Sequence, residues 1–250
     1  MTFARSLAIA ALLALAAPAF SGPAFSGPRL TPHTAQYKVK ISVVSGQLNT
    51  ELRSTADGYA ATHVIKPTGF SKILAHGTMD VTSEFSDGPD GITPIRYHAV
   101  DTIRDDPEVD LEFDWTSNRV SGTVGADAVE FQLDGISHDN VSVQYALMHD
   151  LLTDTTREQY ILFDVDKLRV ANISAAGTKV VKTKAGTFTA VGIRHQKEGS
   201  SRTTTMWCVE ELGYLPVLIE QHRKGKTIFE AKLTRYTPTP VPAPIPTPTF

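Results

Sequence analysis

Cysteine is all but absent: Cys208 stands alone among 250 residues. No intrachain disulfide can form and no four-cysteine zinc site can be assembled, so the fold has to hold by its core. Cys208 itself lies in the strand-like run Thr203–Val209, where a buried, inert thiol is expected rather than a nucleophile. An excess of charge is missing too, with 24 Lys and Arg against 27 Asp and Glu, a balance that gives no sign of a nucleic-acid partner. Long apolar runs are missing: Leu7–Ala17 is about eleven residues, too short to stay in a bilayer as a spanning helix. There is no Gly-x-Ser-x-Gly elbow, no His-Glu-x-x-His motif and no glycine-rich phosphate loop, so the commonest signatures of hydrolases, zinc proteases and nucleotide binders are lacking. The 8 histidines are scattered. Even His138 and His149, both on the segment read as a helix, stand roughly three turns apart, too far to share a metal. No metal or other cofactor is expected.

What is present begins with an export signal. Arg5, the apolar run to Ala17 and the small residues Ala17-Pro18-Ala19 form the three regions of a cleavable signal peptide, with cleavage expected after Ala19. No cysteine follows the apolar run, so the expected product is periplasmic and not a lipoprotein. Residues 1–19 are therefore read as signal peptide and 20–33 as a linker, in which Pro23–Gly27 repeats the preceding Pro18–Gly22. Residues 34–236 are read as a single β-rich domain. Residues 237–250 carry proline at every second position and are expected to form an extended, disordered tail that cannot join a sheet ladder.

Within the domain the dominant period is two. Ala35, Tyr37, Val39, Ile41 and Val43 alternate with polar residues and predict an amphipathic strand with these five on one face. Turn signals at Ser45-Gly46, Ala56-Asp57-Gly58, Ser86–Gly91, Ala185-Gly186 and Lys224-Gly225 separate further strands, read at Gln47–Thr55, Tyr59–Lys66, Ile95–Ala99, Val109–Trp115, Val129–Leu133, Gln159–Val165, Leu168–Ile173, Lys179–Lys184, Phe188–Gln196, Arg202–Val209, Leu215–Arg223 and Lys226–Tyr236. Glu108, Asp110, Glu112 and Asp114 alternate with apolar residues, which predicts a solvated acidic strand face that discourages edge-to-edge pairing. Only Ser137–Leu152 has a helical period: Val141, Tyr145, Met148 and Leu152 repeat on one face. Tyr145 and Met148 should be buried, with Gln144 and His149 outward. The fold class expected is mainly β: a curled or barrel-like antiparallel sheet of about a dozen strands, covered or plugged by one amphipathic helix. No βαβ crossover appears, which excludes Rossmann and P-loop architectures.

Candidate ligand-binding residues are Tyr59, His63, Tyr97, His98, Trp115 and Trp207. Inward aromatic and imidazole side chains of a curled sheet either fill its core or surround a ligand. Three functions follow. The first is a periplasmic envelope-maintenance protein that binds an apolar or lipid-like ligand. The second is a non-catalytic structural or interaction module whose proline-rich tail docks on an envelope protein, and the third is an unrecognised hydrolase. An open apolar cavity, a filled core and a cleft of converging polar groups are their respective marks.

Gly91-Ile92-Thr93-Pro94-Ile95-Arg96-Tyr97, Phe113-Asp114-Trp115, the helix, Ala185–Ala190, Leu215-Pro216-Val217 and Ala231–Thr234 together resemble domain-of-unknown-function family 3108. The resemblance covers about Thr34 to Tyr236. It departs at His138-Asp139-Asn140-Val141-Ser142, where the family more often has Asp-Pro ahead of the helical serine. The resemblance implies an exported, periplasmic, β-rich and non-lipidated protein of Gram-negative bacteria, and brings no catalytic residues with it.

Overall fold

The computed structural model describes residues 30–41, 44–74, 76–155, 157–163 and 167–239. The expected signal peptide, its cleavage site, the linker up to residue 29 and the tail beyond Thr239 lie outside them. The first half of the chain forms β1 (His33–Ile41), β2 (Val44–Ser54), β3 (Tyr59–Pro67), the single helical turn α1 (Ser71–Leu74), β4 (Met79–Gly88), β5 (Gly91–Asp101), β6 (Asp106–Asp114), β7 (Arg119–Val124) and β8 (Asp127–Gln132). The second half forms β9 (Ser137–His138), α2 (Ser142–Leu152), β10 (Gln159–Phe163), β11 (Leu168–Lys182), β12 (Thr187–Lys197), β13 (Arg202–Val209), β14 (Leu215–Arg223) and β15 (Lys226–Pro238).

All 15 strands among the described residues belong to one sheet, ordered β8-β7-β6-β5-β4-β3-β2-β1-β15-β14-β13-β12-β11-β10-β9. Sequential neighbours pair antiparallel throughout the ladders, and β9 joins β10 in parallel. The two open edges, β8 and β9, are adjacent in the chain. Five Cα steps separate Gln132 from Ser137, a reach of at most roughly 18 Å, so the sheet must coil until its edges nearly meet. Aromatic rings join them there: Phe131 of β8 lies edge-on to Phe163 of β10 at 5.3 Å, and Phe113 of β6 meets the same ring at 6.5 Å. The result is the barrel-like antiparallel sheet that the strand rhythm predicts, not closed by hydrogen bonds.

The inner face is filled. Tyr37, Leu52, Phe85, Leu162, Leu215 and Leu233 are among its fully buried side chains, and α2 lies across β4 and β5 to contribute Tyr145. That ring is 0 % exposed and stacks at 5.2 Å on Phe85. Ala35, Tyr37 and Val39 of β1 are buried as the alternation requires, but Ile41 is 45 % exposed, because the same face there runs past the rim of the core. Val43 lies outside the described residues.

Several expected boundaries shift. The helix starts at Ser142 rather than Ser137, since Ser137 and His138 pair with Ile161 and Leu162. His138 and His149 therefore do not share a helix. Tyr145 and Met148 are buried as expected, yet His149 is buried as well, because α2 is covered on two sides rather than one. Two strands missing from the sequence reading are β4 and β7, and its separate strands Leu168–Ile173 and Lys179–Lys184 are parts of the continuous β11, which passes a bulge between Ala175 and Thr178. The tail expected to start at 237 also yields two residues to the sheet. Thr237 pairs with Thr34 and Pro238 with His33, and the Thr239 amide donates to the Pro32 carbonyl at 2.8 Å. Proline is tolerated because it sits at the end of the strand.

Candidate functional site

The six candidate residues named above do not converge. Tyr59 and Tyr97 are core residues, 5 % and 6 % exposed, and the Tyr59 hydroxyl donates to the Leu30 carbonyl at 2.9 Å. His63 points inward and its Nε2 lies 3.4 Å from the Tyr145 hydroxyl; burial, then the nearby His33, pushes its pKa down to about 4, so it sits neutral in the core. His98 is on the outer face, where its Nδ1 lies 3.4 Å from Asp110 and its Nε2 3.9 Å from Glu108. Trp115 stacks on Phe113 at 5.9 Å and donates its indole N–H to the Pro94 carbonyl at 2.6 Å. Trp207 is likewise on the outer side, under Lys179 at 4.0 Å and donating to Glu220 at 2.8 Å. Parity explains the scatter: His63 and His98 occupy opposite faces of neighbouring ladders. Cys208 is buried, with its thiol pushed up to about 12 by burial, and is inert as its strand setting suggests.

Polar groups concentrate in two other places. The first fastens the ends of α2. At the start, Asp139 Oδ1 accepts from the Val141 and Ser142 amides at 2.7 and 2.8 Å, while the Asp139 amide donates to Ser142 Oγ at 3.0 Å. This reciprocal pair is a capping box shifted onto the entry loop. Asp139 Oδ2 also accepts from Ser83 on β4 at 2.7 Å, which ties the cap to the sheet. At the other end, Asp150 Oδ2 accepts from the Tyr160 hydroxyl and Arg157 Nε, each at 2.6 Å, and its Oδ1 faces His149 Nδ1 at 3.3 Å. Asp87 Oδ1 lies 3.4 Å from His149 Nε2. Burial raises the Asp150 pKa, but the hydrogen bonds from His149, Tyr160 and Arg157 outweigh it and the net shift is downward. Gly91, at φ 98°, lets the β4–β5 turn approach: a Cβ there would sit 3.4 Å from Arg157 and 3.7 Å from His149. The hydrogen bonds and ion pairs of these groups run within the cluster, and they read as the fastening of helix, hairpin and β10 rather than as a nucleophile with its base.

The second concentration faces solvent at the rim where β11, β12, β13 and β14 meet. A cleft of about 510 Å³ is lined by Asn140, Arg169, His195, Lys197, Arg202 and Thr204, with Gln221 and the Gly199-Ser200 turn completing it. Register builds this wall: His195 pairs with Thr204 and Thr204 with Gln221, so all three share the inner face. Gln221 donates to Thr204 Oγ1 at 3.1 Å. The β12–β13 turn is held by Gln196 donating to the Ser200 carbonyl at 2.6 Å and by the Arg202 amide donating to Ser200 Oγ at 3.0 Å. Burial, then the charge of Lys197, pushes the His195 pKa down to about 4, so near neutral pH the imidazole offers one donor and one acceptor. Chemically the cleft presents cationic groups and neutral hydrogen-bonding groups together, the complement of an oxyanion. Among the described residues, no group of three or more His, Cys, Asp or Glu side chains is placed to hold a metal ion. The rim residues escaped the sequence reading because they come from four strands and from the loop before α2. The Asp139-x-x-Ser142 spacing is the signal that could have pointed there: it is a capping pattern, passed over when the helix was read from Ser137, and it holds Asn140 beside the cleft.

Known proteins are similar to this chain at the level of fold and of family. A β-barrel-like protein of domain of unknown function DUF1849 from Brucella abortus is similar in fold, with a TM-score of 0.57 at 11 % identity, covering 86 % of this chain and 100 % of that one. MucB matches with a TM-score of 0.37 at 11 % identity over 86 % of this chain and 56 % of its own. A protein described as exported, with a YmcC-like fold, from Bacteroides fragilis matches with a TM-score of 0.33 at 11 % identity over 84 % and 98 %. No curated protein matches the chain. No helix among the described residues is long and apolar enough to cross a membrane. Residues 33–233 match the family described as protein of unknown function, DUF3108, and the chain belongs to that family.

Proposed function

We propose that the protein is an exported, periplasmic envelope protein acting as a non-catalytic binding module, and that its ligand is a small oxyanion-bearing molecule taken at the rim cleft. The export reading rests on Arg5, Leu7–Ala17 and Ala17-Pro18-Ala19. The binding reading rests on one observation: Arg202, Lys197 and Arg169 converge with His195, Thr204 and Gln221 on a solvent-open cleft of about 510 Å³. The interior argues against an apolar pocket, because Tyr37, Tyr145, Phe85 and Leu162 fill the space that an acyl chain would need. A lipid-like ligand then enters by its headgroup and not by its tail.

Titration calorimetry with inorganic phosphate and with a soluble short-chain phosphatidic acid tests this. Binding is expected for at least one of them, weakened about tenfold or more by Arg202→Ala, the usual loss of one charge-assisted hydrogen bond. Thr204→Val should weaken it less. Absence of heat, and of any amide shift around Gly199 and Arg202 in NMR spectra at millimolar phosphate, would overturn the reading. Cell fractionation checks the compartment separately.

A further inference from the structure

The β3–β4 connection carries the most exposed apolar side chains among the described residues: Phe70 is 88 % and Ile73 72 % exposed. Both belong to an ordered turn. The Thr68 amide donates to the Ser45 carbonyl at 3.0 Å, and the Ser45 amide donates to Ser71 Oγ at 2.7 Å, so the connection is bonded to β2 just before α1 and at its first residue. Ser71 is buried while its neighbours are presented outward. Single exposed apolar residues are ordinary. Here Ile41, 45 % exposed, ends β1 next to Val44 and the α1-bound Ser45, so three apolar side chains share one rim.

That rim is also cationic. Lys66 and Lys72 flank the turn and are exposed, as is Lys40 beside Ile41. The ladders bring the next hairpin to the same end: Ile41 pairs with Phe229, and Arg223 with Lys226 across the Lys224-Gly225 turn. The acids nearby are partly engaged: Glu230 faces Lys40 across the β1–β15 ladder, and Asp101 and Asp106 are paired to Arg104 at 2.7 and 3.4 Å. An apolar tip within a collar of lysines matches the two layers of an anionic bilayer surface, acyl region inside and phosphate outside.

We infer that this rim docks on an anionic membrane, with Phe70 and Ile73 inserted at the headgroup–acyl boundary and Lys40, Lys66 and Lys72 against the lipid phosphates. Phe70 and Ile73 supply the apolar contact, and the collar of Lys40, Lys66 and Lys72 selects negative charge around it. The inference stands apart from the cleft: its residues come from β1–β4, those of the cleft from β11–β14 and the loop before α2.

Flotation of the full mature chain with phosphatidylethanolamine–phosphatidylglycerol vesicles, against phosphatidylcholine vesicles, reads it directly. Binding is expected to the anionic vesicles and to fall steeply with salt. Phe70→Ser with Ile73→Ser should reduce it about tenfold or more, and Lys66→Glu or Lys72→Glu about fivefold each. Phosphate binding at the cleft should be unchanged in these variants, so failure of one assay does not decide the other. Because both apolar residues are exposed, the variants should keep the melting temperature. A Phe70→Trp chain should show a blue-shifted, brominated-lipid-quenched emission above that of Trp115 and Trp207. The inference is overturned by equal binding to phosphatidylcholine, by binding indifferent to Phe70 and Ile73, or by a Phe70-dependent dimer in sedimentation without vesicle binding.

Discussion

Replacing Asp139 should be the sharpest single test of how α2 is held, and the two obvious replacements should behave differently. The carboxylate accepts from the Val141 and Ser142 amides and from the Ser83 hydroxyl at 2.7 to 2.8 Å, and the residue is 1 % exposed. Asp139→Ala leaves all three donors without their acceptor in a buried site. Loss of a cap costs about 1 kcal/mol, and each buried donor left unsatisfied costs about 1–3 kcal/mol. The Ser83 hydroxyl can rotate and the losses overlap, so the expected total is about 3–5 kcal/mol, a large share of the 5–15 kcal/mol typical of a domain. Asp139→Asn keeps one oxygen for the two amides and places an amide N–H₂ opposite Ser83 Oγ, which can accept. Burial already holds the Asp139 carboxyl above its usual pKa despite the bonds from Ser142, Ser83 and Val141, so losing the charge removes little. The amide should cost about 1 kcal/mol or less. Equilibrium urea unfolding, followed in parallel by far-ultraviolet circular dichroism and tryptophan fluorescence, measures both. An alanine variant within about 0.5 kcal/mol of the parent, or an asparagine variant as damaged as the alanine one, would refute the capping argument. Because Asn140 follows the cap and lines the cleft, the alanine variant should also lose phosphate affinity under conditions where it remains folded.

Two further outcomes follow from the fold. A chain ending at Tyr236 loses the Thr237–Thr34 and Pro238–His33 pairs and the Thr239–Pro32 hydrogen bond, and should melt about 2–4 °C lower in calorimetry, the shift that about 1 kcal/mol gives at this size, whereas a chain ending at Thr239 should melt unchanged. His138, 4 % exposed, has its pKa pushed down to about 4 by burial, with Asp150 raising it and Arg157 lowering it; the unfolded chain takes that proton first, so this stability is whole above about 6.5 and drains by about 3 kcal/mol as the pH falls towards 4, and His138→Gln should make that part of the melting-temperature profile shallower while the shares of His63 and His195 remain.

What the sequence made legible, and what it hid, follows from which neighbours a residue was judged by. Alternation located β1 and β6 because their inward residues are apolar over several successive positions, as Val109, Leu111 and Phe113 are. β4 escaped because Ser83, fully buried, occupies a core position in it to meet Asp139, and a serine there breaks the apolar rhythm. β7 escaped because its middle inward residue is Gly122, where a Cβ would collide with the Asp110 carbonyl of β6. His149 read as outward because the stripe of one helix face says nothing of a second covering layer, here the β4–β5 turn and Arg157. The rim cleft was invisible for a plainer reason. Its walls come from strands far apart in the chain, and only the register decides that His195, Thr204 and Gln221 face one way.

That same register accounts for where function can sit in such a fold. Ile193, Met206 and Ile219 form one inward row across β12, β13 and β14, and the next inward row is His195, Thr204 and Gln221. A step of two residues along each ladder turns the inner face from core to hydrogen-bonding surface. On β1 the corresponding step goes from Val39, 0 % exposed, to Ile41, 45 % exposed, and the surface stays apolar up to Phe70 and Ile73. A barrel whose interior is filled cannot take a ligand inside without emptying its core, at a cost of about 2–5 kcal/mol for each large side chain displaced. On the proposed function, binding therefore falls to the rim. There the two kinds of step place a cationic cleft on one arc and an apolar tip on another, the arrangement that the proposed headgroup binding and membrane docking both require.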